Sequence, residues 1–125
     1  MYVYDSDARE HLTQSRPVGM PWITALGFIR IATHRGILSA PMATKDAIRT
    51  VRAWLNVPRV QIVTPGDRHA EILFGLLDRL GTAGNLTTDA HLAALAIEYQ
   101  AELVSADADF ARFPGLRWFN PLQLK

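Results

Sequence analysis

The sequence predicts a small α/β fold with a mainly parallel sheet flanked by helices. Three observations point there. Short β-branched or apolar runs alternate with longer segments whose apolar residues recur at helical spacing. Pro and Gly fall between these segments and punctuate them instead of gathering into a linker. The two runs nearest the C-terminus are short and apolar enough for buried strands. Strands alternating with helices give a parallel sheet, and ligands of such sheets sit beyond the carboxyl ends of the strands.

Trp22 to His34 is apolar nearly all the way round, with Arg30 its one internal charge before Arg35-Gly36, and this predicts a central, buried helix. Ala40 to Ala43 is a connection. Thr44 can cap a helix reaching about Asn56, with Ala47, Val51, Trp54 and Leu55 as its buried stripe and Pro58 as its stop. Arg59 to Thr64 is a short strand and Pro65-Gly66 a turn. Asp67 then starts a helix that carries Ile72, Leu73, Leu76, Leu77 and Leu80 on one side until Gly81 closes it. After the Gly84-Asn85 loop, Leu86-Thr87-Thr88-Asp89 leads into a helix with Leu92, Leu95, Ala96 and Tyr99 at helical spacing, ending near Gln100. Glu102 to Ser105 is a buried strand and Leu116 to Phe119 the last one.

A chain of 125 residues buries one core, so a single domain with a single site is expected. There is no cysteine, which excludes thiolate metal sites and cysteine nucleophiles and removes any need for an oxidising compartment. No apolar run approaches the roughly 20 residues of a membrane span and the N-terminus is unlike a secretory signal, so a soluble, cytoplasmic protein is expected. The net charge of +1 names no partner, but its distribution is uneven. Arg30 to Arg68 holds seven bases against two acids, whereas His69 to Ala111 holds one base against seven acids. Two solvated helical faces would give this pattern, and so would an acidic pocket for cations beside a basic rim for phosphates.

Three acids stand where chemistry is expected. Asp89 lies in the first turn of its helix, three residues before Leu92, which places it at the inward end of the buried stripe. Asp107 and Asp109 follow a buried strand at once, and two carboxylates that close repel each other unless a cation or strong donor lies between them. Divalent cations such as Mg²⁺ prefer oxygen ligands and keep several waters, so two or three converging carboxylates suffice. Each acid also has a local reading: Asp89 as a complement to the helix dipole, Asp107 and Asp109 as an Asx-turn or cap. His11, His34, His69 and His91 have no zinc-ligand spacing and read as structural or surface residues. Ser105 has no histidine in its sequence context, and there is no glycine-rich phosphate loop or nucleophile elbow, so acyl transfer and nucleotide-triphosphate chemistry are disfavoured. Trp22, Trp54 and Trp118 read as core or interface packing.

The stretch from Leu86-Thr87-Thr88-Asp89 to Leu95-Ala96, followed by Leu103-Val104-Ser105-Ala106-Asp107-Ala108-Asp109-Phe110, resembles the C-terminal half of a VapC-type PIN-domain toxin. Pro21-Trp22 through Thr33 resembles the central helix of one branch of those toxins, and together the match covers Pro17 to Leu122. The resemblance implies a three-layer PIN-like fold and the toxin of a toxin–antitoxin pair, an RNA endonuclease using Mg²⁺ or Mn²⁺. It implies Asp89 and Asp107 as metal ligands, Asp109 as a further one, and Ser105 as the hydroxyl residue that orients the site. Arg30 and Arg112 are candidate RNA phosphate contacts, and an RNA substrate, a cognate antitoxin and a second copy of the chain are the implied partners.

Two departures stand out. The family begins with an apolar strand ending in a metal-binding aspartate, and this sequence matches only from just after it, which implies an N-terminally truncated domain with the first strand lost. Arg9 to Val18 is also shorter than the helix it should contain, Phe28 stands where many relatives carry a glutamate, and Asp5 and Asp7 read as surface caps. These departures motivate a rival reading, a catalytically silent remnant that still binds an antitoxin or dimerises. A phosphorylation-receiver-like domain is disfavoured, because no early acidic pair follows a strand and Lys45 and Lys125 are the only lysines.

Overall fold

A computed structural model of the chain describes residues 1–4, 17–36 and 40–121. Five parallel strands stand in the order β3-β2-β1-β4-β5: β1 (Tyr2–Tyr4), β2 (Val18–Met20), β3 (Val60–Ile62), β4 (Glu102–Val104) and β5 (Arg117–Phe119). Four helices cover them: α1 (Trp22–Thr33), α2 (Thr44–Leu55), α3 (His69–Leu80) and α4 (Thr87–Glu98). Where the first strand was expected to be lost, a three-residue strand, β1, is present. Tyr2–Tyr4 is the middle strand, with Tyr4 level with Val104 of β4. The mainly parallel, helix-flanked architecture is as expected, and the helix expected between Arg9 and Val18 falls largely outside the described residues.

Side-chain alternation along the strands divides the core into two layers. On one face Val3 and Leu103 pack with Leu76 of α3 and with Ala90 and Leu92–Ala96 of α4. On the other, Val18, Met20, Val60 and Val104 pack with Ala25, Phe28 and Ala32 of α1 and Ala47 and Val51 of α2, closed by an edge-to-face contact between Phe28 and Trp54 at 4.7 Å. At Gly19 the first of these layers leaves no room for a side chain, since a Cβ there would lie 2.8 Å from Val63 Cγ1.

The helices of the sequence reading form close to their expected limits, with two corrections. Thr44 is the first helical residue of α2 and not its cap, which falls on Ala43 with no side-chain hydrogen bond. α1 is not buried all round: it presents Thr24, Ala25 and Phe28 to the sheet but leaves Trp22 52% and Leu26 61% exposed. All-round apolarity predicts burial only where neighbours surround the helix, and among the described residues α1 packs with the sheet and α2 on one side. α3 closes as expected at Gly81, whose φ of 74° suits a residue without Cβ. Among the described residues, no helix is long and apolar enough to cross a membrane.

Candidate metal centre

The strand order reverses on the two sides of β1, and the carboxyl end of β4 lies beside that switch, the place where open parallel sheets build their sites. β4 ends at Val104 and the chain turns sharply. Ser105 is wholly buried, its N–H donates to the Phe119 carbonyl, and its own carbonyl accepts from Trp118 Nε1 at 2.9 Å. The Ser105 Oγ accepts the backbone N–H of Asp107 at 3.0 Å. Asp107 in turn caps the short 3₁₀ turn Ala108–Arg112, its Oδ1 accepting the N–H of Asp109 at 2.9 Å. This ladder of serine and aspartate bonds fixes the turn and the direction of the Asp107 carboxylate.

Asp89 reaches the same spot from another element. It lies in the first turn of α4, which a 3₁₀ turn over Gly84–Leu86 delivers to the sheet edge. One carboxylate oxygen each from Asp89, Asp107 and Asp109 lie within 4.8 Å of one another, and all three residues are half-buried. The structure thus brings together the three acids that the sequence singled out, with Ser105 directly beneath Asp107. Arg112 also belongs to this turn, its Nε 3.7 Å from Asp109 Oδ1 in a solvent-exposed pair. Arg30 is exposed in the last turn of α1. Asp5 and Asp7 lie outside the described residues.

The donor set fits a hard divalent cation. Oxygens that share an octahedral Mg²⁺ at about 2.1 Å stand about 3 Å apart when adjacent and about 4.2 Å when opposite, and small rotations of three carboxylates spaced as here reach those values. Without a cation, three like charges this close repel by about 1 kcal/mol per pair even at the dielectric constant of water.

One polar cluster escaped the sequence reading. His69, at the start of α3, is 7% exposed, and its Nε2 lies 3.0 Å from Nδ1 of His91 on α4. Burial, and then the neighbouring His69, push the His91 imidazole below its ordinary value. Glu98, at the end of α4, accepts the N–H groups of Gly66 at 2.9 Å and Arg68 at 3.0 Å; the Gly66 bond is the main cause that holds its carboxyl below the ordinary value. The histidines are structural, as expected, but 22 residues separate them and no local spacing announces the pair.

Residues 3–116 match the sequence profile of the PIN domain. Ribonuclease VapC33 of Mycobacterium tuberculosis is 53% identical over 106 residues, 85% of this chain and 74% of the relative. Ribonuclease VapC37 of the same organism is 47% identical over 104 residues, covering 83% and 72%. In fold, the chain matches a chain of VapBC2 from Rickettsia felis, solved bound to a DNA fragment from the promoter, with a TM-score of 0.67 at 16% identity over 95% of this chain and 97% of that one.

Proposed function

This chain belongs to the PIN-domain family, and on that premise we propose that it is the toxin of a type II toxin–antitoxin pair, a ribonuclease that hydrolyses RNA phosphodiester bonds with a divalent cation. The observation that carries the reading is the convergence of Asp89, Asp107 and Asp109 from two elements on one point at the carboxyl end of the sheet. Relatives of this sequence are named ribonucleases, and chains of this fold occur in VapBC complexes.

Asp89 and Asp107 are the direct ligands and Asp109 a direct or water-mediated one; Mg²⁺ is the favoured ion, with Mn²⁺ the alternative. When bound, such an ion neutralises a phosphate oxygen and lowers the pKa of a coordinated water. Ser105 holds the Asp107 backbone and so keeps its carboxylate aimed at the cluster. No side chain need form a covalent bond to the substrate. Arg112, one 3₁₀ turn beyond Asp109, and Arg30 supply positive charge for RNA phosphates.

A cognate antitoxin is the proposed protein partner and a homodimer the proposed assembly, both in the cytoplasm; the exposed Trp22 and Leu26 of α1 offer apolar surface for such contacts. The test is cleavage of RNA by the purified protein in Mg²⁺, with chelator as the blank. Asp89→Asn and Asp107→Asn are each expected to abolish it. Cleavage unchanged in both variants would overturn the site assignment.

A further inference from the structure

We propose that His69 is a positioning residue for the acid cluster: by bonding His91, beside the separately anchored Glu98, it fixes the axial position of α4, and with it the place of Asp89 opposite Asp107 and Asp109. The inference rests on reading that cluster as a cation site.

α4 buries four small side chains, Ala90, Ala93, Ala94 and Ala96, together with Leu92 and Leu95. The alanines allow close approach but offer shallow ridges, so only the two leucines give this face ridges that oppose sliding along the helix axis. Hydrogen bonds are different, because they fail within a few tenths of an ångström of their limit. His91 and Glu98 are seven residues apart on α4, two turns, and so share one face. The His69 ring enters between them from α3. Its Nε2 meets His91 Nδ1 at 3.0 Å, the two rings standing edge to face with centroids 4.8 Å apart, and its Nδ1 points toward Glu98 Oε1 at 4.0 Å. That Nδ1 is buried and makes no hydrogen bond. The Glu98 carboxylate favours a proton on it, which leaves Nε2 to accept from His91 Nδ1–H.

Glu98 is itself anchored by the N–H groups of Gly66 and Arg68, in the loop just before α3. Gly66 is close enough that a Cβ would lie 2.5 Å from Glu98 Oε2. α4 is therefore tied at two heights to the start of α3. A slip by one residue's rise, about 1.5 Å, would take both ties out of range. The same slip would carry Asp89, two residues before His91, by the same amount, well beyond the roughly 0.2 Å tolerance of a metal–oxygen distance.

The experiment is a calorimetric titration of the full chain with Mn²⁺ alone, comparing wild type, His69→Phe, which keeps the volume and removes the bridge, and His69→Gln, which keeps a polar group within reach of His91. Folding is checked by a cooperative melt and cleavage by kcat and KM. His69→Phe is expected to fold, to bind Mn²⁺ at least about tenfold more weakly, as removal of groups behind metal ligands does, and to lose kcat with little change in KM. His69→Gln is expected to recover most of the affinity. If His69→Phe does not fold, His91→Phe removes the same bond from the more exposed side and is read in the same way. A folded variant that binds Mn²⁺ as wild type does overturns the positioning role alone. Wild type that binds no Mn²⁺ overturns the cation site, and this inference with it.

Discussion

Replacing Asp107 by Asn separates its local role from its role in the cluster. The side-chain Oδ1 that accepts the Asp109 N–H at 2.9 Å is kept in Asn, and Asn and Asp rank equally as caps, so the turn loses little. What goes is one of three charges whose oxygens lie within 4.8 Å. Two of the three repulsions vanish, each about 1 kcal/mol at water's dielectric constant, and partial exposure of all three residues reduces the sum further. In chelator, Asp107→Asn is therefore expected to be as stable as wild type or about 1 kcal/mol more stable, a rise in Tm of about 3–6 °C for a chain of this size. In Mg²⁺ the order reverses. At a cation concentration about ten times the dissociation constant, wild type gains about 1.4 kcal/mol by mass action, and the variant gains almost none. Thermal melts of both proteins in chelator and in Mg²⁺ measure the crossing. A variant more than about 1 kcal/mol less stable than wild type in chelator would refute the electrostatic argument, because it would make the carboxylate a net stabiliser of the turn without a cation. Equal stabilisation of both proteins by Mg²⁺ would refute the site.

Ser105→Ala removes the buried acceptor of the Asp107 N–H, and should cost about 1–3 kcal/mol by denaturant unfolding and lower kcat as the Asp107 carboxylate loses its support. Arg112→Ala breaks only an exposed pair and should change stability by less than about 1 kcal/mol. Measured as log affinity against log salt in the Asp107→Asn background, it should flatten the slope of RNA binding by about 0.7, the value for one phosphate of a single strand. Stability should fall on acidification in two stages. His91 is held below its ordinary value of 6.5, so the unfolded chain takes up that proton first, and stability present above pH 6.5 declines as the pH drops below it. Glu98 is also depressed, from 4.5, and its contribution, present above that pH, is lost as the pH falls through its lower folded value. A urea-denaturation series from pH 8 to pH 3 should follow that sign, and His91→Phe should remove the first stage.

The helices were legible because their apolar residues recur over three turns. Ala47, Val51 and Trp54 of α2, Ile72, Leu76 and Leu80 of α3, and Leu92, Leu95 and Ala96 of α4 all face the core or its rim. β1 and β2 were missed for different reasons: Tyr2–Tyr4 carries strand-forming residues, but the family resemblance set the first strand ahead of it, whereas β2 shows no strand signal of its own. In β2 the middle position is Gly19, where packing against Val63 excludes the side chain that would have signalled a strand. α1 misled for the opposite reason: Trp22 and Leu26 are apolar yet exposed, and a sequence pattern does not distinguish a face covered by the core from one left for a partner. The acids were found because order along the chain and placement after β4 survive in the sequence. The His69–His91 bridge joins two helices whose separation along the chain carries no information about their packing.

For the acids, the local reading and the proposed catalytic one looked like alternatives, and the geometry leaves room for both at once. The hydrogen bond from Asp109 N–H engages Oδ1 of Asp107, and among the described residues no other hydrogen-bond donor reaches that carboxylate. A carboxylate offers about four lone-pair sites, so capping the turn leaves capacity for a cation. Likewise the Asp109–Arg112 pair is exposed and long at 3.7 Å, weak enough to yield Asp109 to a stronger ligand. The Ser105 and Asp107 hydrogen bonds fix the turn and the Asp107 carboxylate before any cation arrives, which reduces the side-chain entropy lost when one binds. On the proposed reading, capping is the means by which the turn after β4 is preorganised, and a bound cation would release the like-charge repulsion that the turn tolerates.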